Sequence, residues 1–159
     1  MLKTISAGAA IAAAMLVTAF APSPFDYDGP ARWESTTVTI SPDLADAAAQ
    51  WGDALTSVTV EEGAQIHAAP ATTTDEGVGG EAHSTFTGGN YIQSCEVAVD
   101  ADVTDAVLTH EVGHCLGLAH QSTGGPTNMH WWAADYQGGW SDNVTNADLA
   151  RLAELYEGN

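Results

Sequence analysis

The run His110–His120, HEVGHCLGLAH, constrains this chain more than any other stretch. His110 and His114 are four apart, so on a helix both imidazoles lie on one face, one turn from each other. Two imidazoles placed this way can grip one zinc ion. Glu111 is turned about 100° from His110. That keeps it out of the ligand stripe and within reach of a water on the metal, where a general base belongs. Gly117 lets the chain leave the helix through a conformation that costs other residues more. The reversal brings His120 back as the third nitrogen ligand. Three histidines leave a fourth position for water, which marks a catalytic rather than a structural site. Glu111 would take a proton from that water as it attacks a carbonyl and pass it to the departing amine. Any fold for this chain must therefore contain that helix, that stop and that reversal.

The flanking sequence supplies the rest of the elements. Thr36–Ile40 (TTVTI) is β-branched and reads as a strand. Ser41-Pro42 then predicts a helix start, with Ser41 as cap and Leu44, Ala47, Ala48, Trp51 and Leu55 as one apolar stripe. Ser57–Glu61 alternates like a half-buried strand, and Gln65–Ala69 is a weaker one. Residues 70–80 read as a polar loop. Glu81–Phe86 and Tyr91–Asp100 predict two more strands joined through Gly88-Gly89, and Asp102 or Thr104 is positioned to cap the histidine helix. Leu118–Trp140 is rich in Gly and Trp and has no clear period. Thr145-Asn146-Ala147-Asp148 resembles a capping box before a last helix whose buried face is Leu149, Leu152, Ala153 and Tyr156. This pattern predicts an α/β fold, an α+β sandwich with a mixed twisted sheet and about three helices, rather than doubly wound units.

Residues 1–19 read as a secretory signal peptide. Lys3 carries the early charge, an uncharged apolar stretch follows, and small residues at Val17-Thr18-Ala19 predict cleavage after Ala19. Ser6, Gly8 and Thr18 interrupt the run, which favours a leader over a membrane anchor. Residues 20–31 form a short Pro- and Asp-rich linker or pro-segment, and residues 32–159 form the domain. The expectation is a secreted protein with no stable membrane insertion once the leader is removed. The formal net charge is −18, with Arg32 and Arg151 the basic residues beyond the leader. Such a surface repels nucleic acid and anionic lipid, so neither is an expected partner. Solubility and tolerance of high salt both account for it.

The chain has two cysteines, Cys95 and Cys115. With His110 at zero on a helical wheel, His114 falls near 40°, Glu111 near 100° and Cys115 near 140°. Leu108 and Val112 fall beside Cys115 and make an i, i+4, i+7 stripe with it, the usual core face. Cys115 is therefore expected to face the sheet and not the metal. A disulfide to Cys95, on the preceding strand, and two free buried thiols are the alternatives; secretion favours the disulfide.

His110, Glu111, His114, Gly117 and His120 together complete H-E-x-x-H-x-x-G-x-x-H, and Met129 follows in TNMHWW. In this the chain resembles the metzincin metalloproteases, with Met129 at the place of their Met-turn. It is most similar to the matrixin type: Arg32-Trp33 resembles the opening of those domains, AAAQWGDAL their first helix and NVTNADLARLAELY their last. The resemblance implies a zinc endopeptidase that binds an extended peptide along an edge strand at Gly80–Phe86, with contacts from Glu81 and Ala82. It also implies a pocket walled by His114 and the segment after Met129, Trp131 included.

Departures from the family pattern are visible as well. GGEAHSTF resembles a strand that carries one structural-zinc histidine, at His83, but Ala98 stands where another would be. Asp100 and Asp102 resemble a Ca2+ loop, with Val103 at the position of its next acid; acids before a helix are equally good caps. No cysteine lies between the leader and Arg32, so latency through a prodomain cysteine is not expected. Trp131 occupies the position of the astacin-type tyrosine.

The expected function is a secreted, monomeric zinc endopeptidase acting on proteins or peptides, with Glu111 catalytic. The alternatives are a non-catalytic, zinc-stabilised extracellular binding module and a zinc amide hydrolase of cell-wall peptides. A base such as Glu111 has no use in the first. The Met-turn favours protein substrates over the second.

Overall fold

The computed structural model describes residues 31–52, 57–69, 79–89, 91–100, 103–121, 125–130 and 140–157. The expected leader, the linker as far as Pro30, Leu55, the loop 70–78, Asp102 and Trp131 lie outside the described residues. Among the described residues, no helix is long and apolar enough to cross a membrane.

The sheet has six strands, β1 Arg32–Trp33, β2 Thr37–Ile40, β3 Ser57–Val60, β4 Ile66–Ala68, β5 Gly80–Phe86 and β6 Tyr91–Val99. β2 pairs in parallel with β3 and β4, and β6 in parallel with β4 and β1. β5 alone is antiparallel, with Gly80 opposite Val99 and Ser84 opposite Cys95. Cys95 faces Ile66 of β4 on one side and Ser84 of β5 on the other, so β5 occupies the outer edge of β6. The sheet is mixed, as expected, and its antiparallel strand is the edge strand Gly80–Phe86.

Alternation decides which face is buried. Val38, Ile40, Ile66, Cys95 and Val97 are at most 1% exposed, while Thr39, His67 and Glu96 between them are half-buried. Helices cover the apolar face: α1 Ala45–Trp51, α2 Asp105–Cys115 and α3 Asn146–Tyr156.

The start of α1 differs from expectation. Pro42–Leu44 forms a 3-10 turn before the helix, and Ser41 makes no side-chain cap. Its Oγ instead accepts the Ala68 N–H of β4 at 3.4 Å. A strand donor has taken the oxygen that would have capped the helix. Leu44, Ala47, Ala48 and Trp51 are buried as predicted. Thr104 holds the N-cap position of α2 without a side-chain bond. The capping box of α3 is present in both directions, between Thr145 and Asp148. Leu152 and Tyr156 are buried on α3, with Leu149 and Ala153 half-buried beside them.

The two chain ends of the domain meet behind α2. Trp33 Nε1 donates to the Cys115 carbonyl at 2.9 Å, the Trp33 N–H to Tyr156 Oη at 3.1 Å, and Tyr156 Oη to the Leu116 carbonyl at 3.0 Å. The end of α2 is thereby pinned by β1 and α3. Cys95 and Cys115 form a disulfide with Cα atoms 5.5 Å apart, which ties α2 to the central strand β6. Cys115 is fully buried beside Val112 on the sheet-facing side, away from the histidines. Closing a loop of this size is worth about 3 kcal/mol in the chain-entropy account.

Candidate metal centre

The stop at Gly117 has a defined geometry. Gly117 has φ 102°, in the left-handed region that favours glycine. The Leu118 N–H donates to the Gly113 carbonyl at 3.1 Å and the Gly117 N–H to the His114 carbonyl at 2.9 Å. These are the two bonds of a Schellman cap. The position has a second requirement, since a Cβ on Gly117 would collide with the Ala31 carbonyl oxygen. The cap also presents the Leu118 carbonyl to His114, whose Nδ1 donates to it at 2.7 Å. The chain then returns, and the Gln121 N–H donates to the Met129 carbonyl at 2.7 Å, which joins the segment after His120 to the one that carries Met129.

The result is a convergence of three imidazole nitrogens. The Nε2 atoms of His110, His114 and His120 are 3.0, 3.0 and 3.2 Å apart. Carbonyl oxygens only accept, so the Nδ1 atoms of His110 and His114, bonded to the Asn128 and Leu118 carbonyls, must carry the protons. Their Nε2 atoms are then bare lone pairs pointed at one another. Such an arrangement is repulsive without a cation between them. Four donors set tetrahedrally at bonds of about 2.0–2.1 Å lie about 3.3 Å apart, close to the spacing present here. Among the described residues, these three form the one group of His, Cys, Asp and Glu side chains that could hold a metal ion. Burial drives the His110 imidazole down to about 4 and holds His114 well below its ordinary value near 6.5, with neighbouring histidines adding to both. Both rings are therefore neutral, the form that binds a metal.

Glu111 is buried at 6% exposure on the next face of α2. Burial, and then the charge of Glu81, push its carboxyl up to about 8. A methyl added at Gly80 would lie 2.8 Å from Glu111 Cγ and 3.0 Å from Oε1. The carboxyl is thus seated against the backbone of β5, and only a residue without a side chain fits opposite it. Glu81 itself accepts from or pairs with His83, Oε2 to Nε2 at 3.0 Å. Ala82 is half-buried and packs on the core. Asp100 accepts from the Val103 N–H at 3.2 Å and donates its own N–H to the Gly79 carbonyl at 3.2 Å.

Met129 is fully buried. A Cβ on Gly113, between the two helical histidines, would collide with Met129 Sδ and the Trp51 ring. Met129 Sδ therefore packs against α2 at Gly113, the residue before His114. Trp51 Nε1 donates to the Thr109 carbonyl at 3.0 Å and fixes the same turn from α1.

Several residues of this centre were not singled out from the sequence. Gly113 is one, although a glycine inside a helix is a standing signal of close packing. Gly80 is another. Trp140 lies against His110 with ring centroids 5.4 Å apart, and Asn128 supplies the carbonyl for His110. Nothing local to either residue marks that role.

Compared with protein families and with curated protein sequences, the chain matches no family model, and no curated protein matches it.

Proposed function

We propose that the protein is a secreted zinc-dependent endopeptidase of the metzincin type, close to the matrixins. The observation that carries this reading is the convergence of three neutral imidazoles beside one buried carboxylate, next to an antiparallel edge strand. His110, His114 and His120 would hold a zinc ion, which would supply Lewis acidity and a positive charge beside Glu111 that favours its ionised form. Glu111 takes a proton from the attacking water and returns it to the departing amine. The absence of a side chain at Gly80 leaves room for Oε1, and burial limits competing water around the carboxyl. The outer edge of β5 offers an extended substrate backbone a strand to pair with, and Gly80–Ala82 bring it alongside Glu111. Met129 supports the histidine turn from below and takes no proton. The disulfide supports an oxidising, extracellular setting.

The test is peptide-library cleavage by the wild type, the chelated protein and Glu111→Ala. Cleavage of internal peptide bonds should require zinc and be lost in Glu111→Ala, while the variant still binds one zinc. Full cleavage by Glu111→Ala would overturn the reading. A wild type that holds zinc and cleaves nothing would point to a binding module instead.

A further inference from the structure

Asp148 does more than its place in the sequence requires. As the third residue of α3 it closes a capping box, for which it needs to accept only the Thr145 N–H, at 2.9 Å. Capping side chains ordinarily sit at the surface, yet Asp148 is fully buried. A buried carboxylate is tolerated only with several donors around it. Beyond the Thr145 backbone and hydroxyl, Asp148 accepts from Thr127 Oγ1, from the Asn128 N–H at 3.1 Å and from Arg151 Nη1 at 3.4 Å. Two of these donors belong to a segment some twenty residues upstream, immediately before Met129.

Asn128 is the other end of the tether. Its side chain is fully buried, and Nδ2 donates to the Ala106 carbonyl at 3.3 Å and the Ser141 carbonyl at 3.1 Å. Its Oδ1 has no partner among the described residues, an arrangement that is costly in a core. The two donations tie the first turn of α2 and the segment before α3 to one peptide unit. That unit's carbonyl accepts from His110 Nδ1 at 2.6 Å. Thr127 Oγ1 reinforces it by accepting the Met129 N–H at 3.1 Å.

We propose that Asp148 and Asn128 form a positioning unit for His110. The tether from α3 holds the Asn128 carbonyl against Nδ1, and this keeps Nε2 deprotonated and aimed at the point where the three imidazoles meet. Asp148 and Asn128 touch neither metal nor substrate. They act through one histidine. The inference rests on the reading of these histidines as a metal site only for its effect on affinity; the effect on the tautomer of His110 is independent of it.

The experiment compares Asp148→Asn with Leu152→Ala, a core variant of the same helix that destabilises α3 without touching Asp148's donors. Two quantities are measured: zinc affinity by chelator competition, and the His110 imidazole tautomer by nitrogen NMR of the metal-free protein. Outer partners of ligating histidines typically contribute 10–100-fold in affinity. Asp148→Asn should therefore weaken zinc binding at least tenfold and turn a single Nδ1-protonated His110 into a mixture. Leu152→Ala should leave both within threefold of wild type. If the two variants lose affinity alike, or Asp148→Asn keeps wild-type affinity and tautomer, the positioning role is wrong. Should Asp148→Asn not fold, Thr127→Val takes its place, and Thr127→Ser, which keeps the hydroxyl, should restore both readings. If the wild type takes up no zinc, the metal reading fails by itself, and the tautomer populations still decide the positioning claim.

Discussion

Gly113 stands in the middle of α2, where alanine is ordinarily preferred by about 1 kcal/mol. Here the helix surface at that point is filled by Met129 and Trp51, so a methyl group has no room. Packing and propensity oppose each other, and packing is larger: overfilling a tight core costs about 1–3 kcal/mol. Gly113→Ala should lower the unfolding free energy by about 1–2 kcal/mol in denaturant titration, and an increase would show that Met129 and Trp51 yield freely. Glu111 presents a different balance at the same scale. Glu111→Gln keeps the shape against Gly80 and removes the proton acceptor. Cleavage should fall by about 10²–10⁴ in kcat/KM, the usual contribution of a general base, while zinc affinity stays within a few-fold. A parallel collapse of zinc affinity would instead mean that Glu111 holds the site together.

The elements divide by how local their causes are. β2, the buried stripe of α1, β5, β6 and the capping box of α3 were legible because alternation, helical period and capping are written within a few residues. The three histidines were legible for the same reason: a helix and one reversal bring them together. The start of α1 departs from the sequence pattern at Ser41 because its hydroxyl oxygen is taken by Ala68 of β4, a partner 27 residues away. The capping box is visible in the sequence, but its attachment to Asn128 is not, since pairing across twenty residues leaves no mark in either segment. The need for glycine at position 80 is not written locally, because its reason is a carboxyl on another element. The sequence shows the backbone reason for Gly117, and the structure adds the contact with Ala31. Gly117→Ala therefore meets both a left-handed φ and a collision. It should open the Schellman cap, release the Leu118 carbonyl from His114 and weaken zinc binding, measured by chelator competition, by tenfold or more. Wild-type affinity in a folded Gly117→Ala protein would show that the cap does not set His114.

For the molecule as a whole, the ionisable groups of the centre work against stability when no metal is bound. The chain carries a formal net charge of −18 with every acid counted as ionised, and ionised Glu111 is a buried part of that charge with Glu81 close by. Its folded pKa is raised, to about 8 from an ordinary value near 4.5. The unfolded chain therefore releases this proton first, and stability is lost as pH rises from about 4.5 through 8. His110 acts in the opposite sense. Its folded pKa is lowered to about 4 from 6.5, so the unfolded chain gains this proton first and stability is lost as pH falls from 6.5 to about 4. His114, also lowered, acts in the same direction. Metal-stripped protein should then be eroded from both sides, with zinc restoring stability by mass action, by about 2.7 kcal/mol at a free concentration one hundred times Kd. The discriminating variant is again Glu111→Gln, now in the chelated protein. A neutral amide has no proton to lose, so at pH 8 the variant should melt at a higher temperature than wild type, by the equivalent of on the order of a few kcal/mol. At pH 4.5 the two should melt nearly together, because both carry a neutral side chain in the folded state and the unfolded carboxyl is only half ionised. Thermal melts at the two pH values, each with chelator, measure the difference directly. If Glu111→Gln is no more stable than wild type at pH 8, the carboxylate is already accommodated without metal, and its burial is not what the zinc charge offsets.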